Sequence, residues 1–126
     1  MPNFSEEQLT ESMSKILAAV GMSQKNARQV AELLAEANSM GHDSHGIIRI
    51  PQYLDLIEKG EIVVDAEVEV LQESMLTPIV DGNWGFGQVT MNRAVEVGLE
   101  KAGQSGLAAV AVRGANHIGR LGSYVD

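Results

Sequence analysis

The sequence contains no cysteine, which excludes disulfide staples and thiolate metal ligands and is compatible with a reducing compartment. Positive charge is also scarce: nine Lys plus Arg stand against seventeen Asp plus Glu, a net charge of −8. Nucleic acids and anionic lipid surfaces both require a basic face, so neither suits this chain as a partner. Long hydrophobic runs are missing. The most apolar stretch, residues 107–112, falls far short of the roughly 18 residues that a membrane-spanning helix needs. No basic, then apolar, then small-residue succession opens the chain as a secretory signal would. Together these absences predict a cytoplasmic protein, and 126 residues are enough for one hydrophobic core.

Helical signals fill the first half. Ser5 and Gln8 have capping-box spacing, with Phe4 and Leu9 at the staple positions on either side. Leu9, Met13, Ile16, Leu17 and Val20 recur at helical spacing until Gly21 ends the run. A second helix follows Ser23, its N-cap, with Ala27, Val30, Ala31, Leu34 and Ala37 as the buried stripe and Gly41 near its end. The short link predicts a helical hairpin. After the polar segment Gly41-His42-Asp43-Ser44-His45-Gly46, residues 47–59 read as a third helix with Pro51 in its first turn or at a kink. Ser44 is placed to cap that helix.

From residue 61 the pattern becomes that of strands. Val68 and Val70 alternate with acids, as in a half-exposed strand. Ile79-Val80 predicts a short strand closed by the turn dipeptide Asp81-Gly82. A helix over 88–101, with Val89, Ala94, Val95 and Leu99 facing inward, leads to the apolar run 107–112, which reads as a strand buried on both faces. The expected fold class is α/β: a helical segment over 1–60, then over 61–126 the beginning of an incomplete mixed α/β domain built on a βαβ unit. Such a unit leaves a sheet edge open. One reading of the chain is therefore a non-catalytic α/β interaction module that docks a partner chain through this edge.

The histidines offer the alternative, an enzyme. All three lie in glycine-rich loops, and His117 follows the carboxyl end of a predicted strand, where open α/β sheets bind ligands. An imidazole there can serve as general acid or base. Asp43-Ser44-His45 is no hydrolase triad, because consecutive side chains point in different directions and no nucleophile elbow surrounds Ser44. A metal site from His42, Asp43, His45 and His117 lacks any recognised ligand spacing, so no metal is assigned. Gly85 and Gly87 resemble a dinucleotide fingerprint, yet Thr90 replaces its third glycine and Arg113 ends the next strand where an acid belongs. A tight strand-to-helix connection explains those glycines better. Arg49 follows His45 by one helical turn, and its guanidinium beside an imidazole suits a carboxylate. With Arg113, Arg120 and the histidines it would form a positive island in an acidic chain.

Two segments are more specific. Gly41-His42-Asp43-Ser44-His45-Gly46 with Arg49, Pro51 and Tyr53, and Asn116-His117-Ile118-Gly119 with Gly122 and Tyr124, resemble two signatures of the type-2 malate/L-lactate dehydrogenase family. Val80-Asp81-Gly82 with Gly87-Gln88 resembles a third, weaker segment, and the wording is nearest the bacterial hydroxycarboxylate dehydrogenase branch. The resemblance implies a cofactor fold that is not a Rossmann fold, NAD or NADP as cofactor, and interconversion of small anionic 2-oxo and 2-hydroxy acids. It implies His117 as the acid/base, His45 and Arg49 as the grip on the substrate carboxylate, and Ser44 in support. Tyr53 and Tyr124 would line the pocket. It implies a homodimer too, and a further carboxyl-terminal portion bearing most cofactor contacts, so no cofactor-binding residue is assigned within this chain.

Overall fold

The structure is a computed structural model that describes residues 2–125. Helix α1 (Glu6–Ala19) begins at the predicted capping box: Ser5 Oγ accepts the Gln8 N–H at 3.1 Å, and Gln8 Oε1 accepts the Ser5 N–H at 2.9 Å. Leu9 packs against the core, whereas Phe4 remains exposed and forms no buried staple. At the far end the Met22 N–H reaches the Leu17 carbonyl and the Gly21 N–H reaches that of Ala18, with Gly21 at φ 103°. This is a Schellman ending. Helix α2 (Gln24–Ser39) carries its N-cap at Ser23 and ends in the same way at Gly41. Its stripe of Ala27, Val30, Ala31 and Leu34 meets Met13 and Leu17 of α1 in one cluster that also includes Ile50, Tyr53, Ile62 and Phe86.

The predicted third helix starts later and more tightly than expected. Two 3-10 turns, Asp43–His45 and Ile47–Arg49, precede α3 (Ile50–Glu58), with Pro51 in its first turn. Ser44 does not cap α3; the N-cap is Arg49, which makes no side-chain capping bond. Asn38 organises this segment instead. Its Oδ1 accepts the Ile47 N–H at 2.8 Å and its Nδ2 donates to Asp43 Oδ1 at 2.8 Å. A side chain at Gly46 would overlap the Asn38 amide, so glycine is required where the loop crosses α2.

Strands β1 (Glu69–Gln72), β2 (Ile79–Gly85) and β3 (Ala111–Ala115) form one sheet in that order, β1 antiparallel and β3 parallel to β2. Helix α4 (Gly87–Ser105) connects β2 to β3, completing the expected strand–helix–strand unit. Val68, Val70, Val110 and Val112 pack with Val80, Ala94 and Val97 in a second core cluster.

Three expectations are corrected here. Asp81-Gly82 does not close β2, which continues to Gly85 through a bulge with Asn83 at φ 48° and Trp84 at φ 59°. Asp81 Oδ1 accepts the Asn83 N–H at 2.8 Å and so holds the left-handed step that turns a would-be hairpin signal into a kink. On α4 the inward line runs through Thr90, Ala94 and Val97, leaving Leu99 70% exposed. The run 107–112 is neither a strand throughout nor buried on both faces: β3 starts only at Ala111, Leu107 is 74% exposed, and Ala109 and Ala111 are exposed too. Among the described residues α4 packs against β2 and β3, while Glu69, Ala111 and Arg113 are exposed. None of the described helices is long and apolar enough to cross a membrane.

Candidate active site

The two histidine loops converge. His45 and His117 stack with ring centroids 5.5 Å apart and planes inclined by 29°. Asn38 fixes the first loop, and Asn116 fixes the second by donating through Nδ2 to the carbonyls of Trp84 at 2.7 Å and Gly85 at 3.1 Å. Ser44 Oγ lies 3.0 Å from His45 Nδ1 and orients that ring, while the Ser44 carbonyl accepts from Arg49 Nε at 2.6 Å. A second arginine donor goes to Gln52 Oε1 at 2.7 Å. With two donors committed to positioning, the guanidinium keeps others for a ligand.

Arg49 stands apart from the other arginines of the expected island. Arg113 is tied to Asp81 at 2.7 Å and Arg120 to Glu36 at 2.9 Å, so the island contracts to Arg49 and the histidines. Among the described residues Arg49 has no carboxylate partner, which leaves its charge available.

Behind His117 lies a hydrogen-bonded chain. Its Nδ1 is 2.9 Å from the Tyr53 hydroxyl, and Gln88 Nε2 donates to that hydroxyl at 2.9 Å. Tyr53 is buried against the edge of Phe86, ring centroids 5.3 Å apart, and its burial pushes the phenol pKa up. Tyr53 therefore backs the histidine from within the core. Burial, followed by the nearby charges of Arg49 and His45, holds the His117 imidazole below its ordinary pKa. Tyr124 donates its hydroxyl to the Ile118 carbonyl and braces the loop beyond His117; burial raises its pKa. His42 points Nδ1 at the Met40 carbonyl, 3.2 Å away. No group of three or more His, Asp or Glu side chains gathers as a metal site among the described residues.

The glycine-rich turn between β2 and α4 does not form a cradle for a dinucleotide pyrophosphate. A side chain at Gly87 would overlap the carbonyls of Asn116 and His117, and one at Gly85 would press on Ala66. The chain's own loop occupies the space over the helix start. Sequence reasoning missed Gln88 and Asn38 as contributors to the site. For Gln88 a signal exists, an amide on an otherwise apolar helix face; Asn38 sits in a helix end with nothing to distinguish it.

A family model for malate/L-lactate dehydrogenase matches residues 4–126. The chain belongs to this family. It is 35% identical over 123 residues to hydroxycarboxylate dehydrogenase B of Escherichia coli strain K12, spanning 98% of this chain and 34% of that protein. Identity to L-sulfolactate dehydrogenase of Methanothermobacter thermautotrophicus is 35% over 122 residues, covering 97% of this chain and 36% of the relative. Malate dehydrogenase from Entamoeba histolytica superposes with a TM-score of 0.92 at 37% identity, over 98% of this chain and 34% of that one. The chain thus spans about a third of the length of these malate/L-lactate dehydrogenase family members.

Proposed function

We propose that the chain is the amino-terminal part of an NAD(P)-dependent 2-hydroxyacid dehydrogenase, supplying the proton-transfer and carboxylate-binding side of the reaction. The observation that carries this reading is the stacking of His45 on His117 beside Arg49, which has no carboxylate partner among the described residues. No described side chain in this cluster is redox-active, so the arrangement suits a hydride delivered from elsewhere. The nicotinamide common to such dehydrogenases supplies that hydride when bound.

The chain's own residues do the rest. Arg49 and His45 hold the carboxylate of a small 2-oxo or 2-hydroxy acid, which fixes its second carbon and oxygen against His117. His117 Nε2 has no protein partner among the described residues, so it is the nitrogen that exchanges a proton with the substrate oxygen. Bringing an anionic carboxylate between Arg49 and His45 offsets the two charges that depress the His117 pKa. Substrate binding thereby favours the protonated acid needed for reduction. Ser44 keeps the His45 ring turned toward this work.

Complementation tests the reading. Mixing the chain with the remaining carboxyl-terminal portion of a family member is expected to give oxo-acid-dependent oxidation of NADH or NADPH, and His117→Ala is expected to abolish it. Activity that returned and survived that substitution would falsify the assignment of His117.

A further inference from the structure

Gln88 is fully buried, yet its amide makes one hydrogen bond and its Oε1 has no partner. A methionine would fill the same space without leaving a buried acceptor unsatisfied, which carries a desolvation cost. The amide's only side-chain partner among the described residues is the Tyr53 hydroxyl, and that hydroxyl's other partner is His117. We propose that Gln88 is a positioning residue which, through Tyr53, decides which ring nitrogen of His117 carries the proton.

The argument is one of donors and acceptors. A phenol has a single hydrogen, and that of Tyr53 is buried. With Gln88 Nε2–H donating to the hydroxyl oxygen, the Tyr53 hydrogen needs an acceptor, and His117 Nδ1 is the one in reach. Nδ1 must then be bare, so the neutral ring keeps its proton on Nε2, toward the substrate. Protonating Nδ1 would set two donors against the Tyr53 oxygen and strand its hydrogen.

Rotating the Gln88 amide end for end reverses the chain. Oε1 then accepts from Tyr53, and the Tyr53 oxygen accepts from His117 Nδ1–H, the arrangement an imidazolium requires. An amide is the side chain that can serve both states, since it carries a donor and an acceptor of similar size. The charged and titratable groups facing His117 are His45 and Arg49 from the preceding loop and Tyr53 from α3. Gln88 adds no charge to this set, so its influence runs through hydrogen bonding alone.

The inference rests on the reading of His117 as the proton carrier, but its test is independent of turnover. Nitrogen-15 NMR of the histidine-labelled 126-residue chain reports which ring nitrogen is protonated and the pKa of the ring. The wild-type neutral ring is expected as the Nε2–H tautomer. Gln88→Glu presents acceptors to Tyr53 and is expected to move the proton to Nδ1 and raise the His117 pKa. Adding Tyr53→Phe is expected to cancel most of that tautomer shift. The same tautomer in wild type and Gln88→Glu, with Tyr53 intact, overturns the proposal, as does a wild-type ring protonated at Nδ1. Should Gln88→Glu fail to fold, the volume-conserving Gln88→Met decides through the ring pKa: methionine cannot accept from Tyr53 when Nδ1 is protonated, so a His117 pKa below the wild-type value supports the proposal, and an unchanged pKa overturns it. Failure of the complementation assay with an intact tautomer shift would count against the catalytic reading and leave the relay standing.

Discussion

His45 and His117, brought from separate loops, lie face to face at 5.5 Å, so the His117 ring sits within reach of charge on His45. Burial first, then the charges of Arg49 and His45, holds the His117 imidazole below its ordinary pKa. Adding a non-reactive 2-oxo acid analogue such as oxamate is therefore expected to raise the His117 pKa, as an anion enters beside Arg49. Proton NMR titration of the ring checks this. An unchanged or lowered pKa at saturating ligand would place the anion elsewhere.

Removing the neighbour separates the causes. His45→Ala is expected to raise the His117 pKa only part of the way to its ordinary value, since burial is the largest cause and stays in place. The same substitution should weaken oxo-acid binding in the complemented enzyme. A full return to the ordinary imidazole value would make His45, not burial, the dominant influence.

Arg49 carries the heaviest expectation for affinity. Losing one partner of a desolvated charge pair costs on the order of 2–5 kcal/mol, so Arg49→Ala should raise the KM for the oxo acid by about 30-fold or more while the cofactor KM moves little. Arg49→Lys should recover only part of this, because lysine lacks the planar fork that bonds Ser44 and Gln52 while facing a ligand. Steady-state kinetics with each substrate varied in turn decides the matter.

Two glycines of α4 should respond in opposite directions to the same change. Gly87→Ala drives a methyl into the Asn116 and His117 carbonyls and is expected to lower stability by roughly 2 kcal/mol or more. Gly103, also helical, has nothing within 4 Å of an added Cβ. Gly103→Ala should therefore stabilise by about 0.5–1 kcal/mol through helix propensity. Thermal denaturation of both variants gives the comparison, and equal shifts would contradict the close approach at Gly87.

Acid should loosen the β2 bulge. The Asn83 N–H first, then the Arg113 guanidinium, hold the Asp81 carboxyl below its ordinary range. Because the folded value is the lower one, the ionised form favours the fold. Its contribution is complete above the unfolded value of about 4 and disappears as pH falls through the folded value. Asp81→Asn should flatten this acid limb in urea unfolding series between pH 2 and 6, and an unaltered pH profile would remove Asp81 from the account.

Local signals were readable where one physical cause dominates. Ser5 with Gln8, and Gly21 and Gly41 at helix ends, announce themselves because capping needs those residue types at those positions. The convergence of His45 and His117 was legible through the family resemblance, not through spacing, since no pattern in sequence brings two loops together. Where neighbours arbitrate, the sequence misleads. Asp81-Gly82 has turn chemistry, but pairing with both β1 and β3 carries β2 through it. Ser44 could cap a helix, yet Asn38 takes over the ordering of that loop and frees the serine for His45. Leu99 is apolar and in helical phase with Val95, yet it stays exposed at the rim of a shallow depression that it lines with Val110 and Val112.

The first turn of α4 supplies both the glycine that lets the His117 backbone settle against the helix and the glutamine that reaches Tyr53. Backbone placement and ring orientation of the same histidine are thus anchored to one rigid rod. A shift of α4 would carry both anchors with it, so the seat of the His117 loop and the reach of Gln88 to Tyr53 respond as one unit.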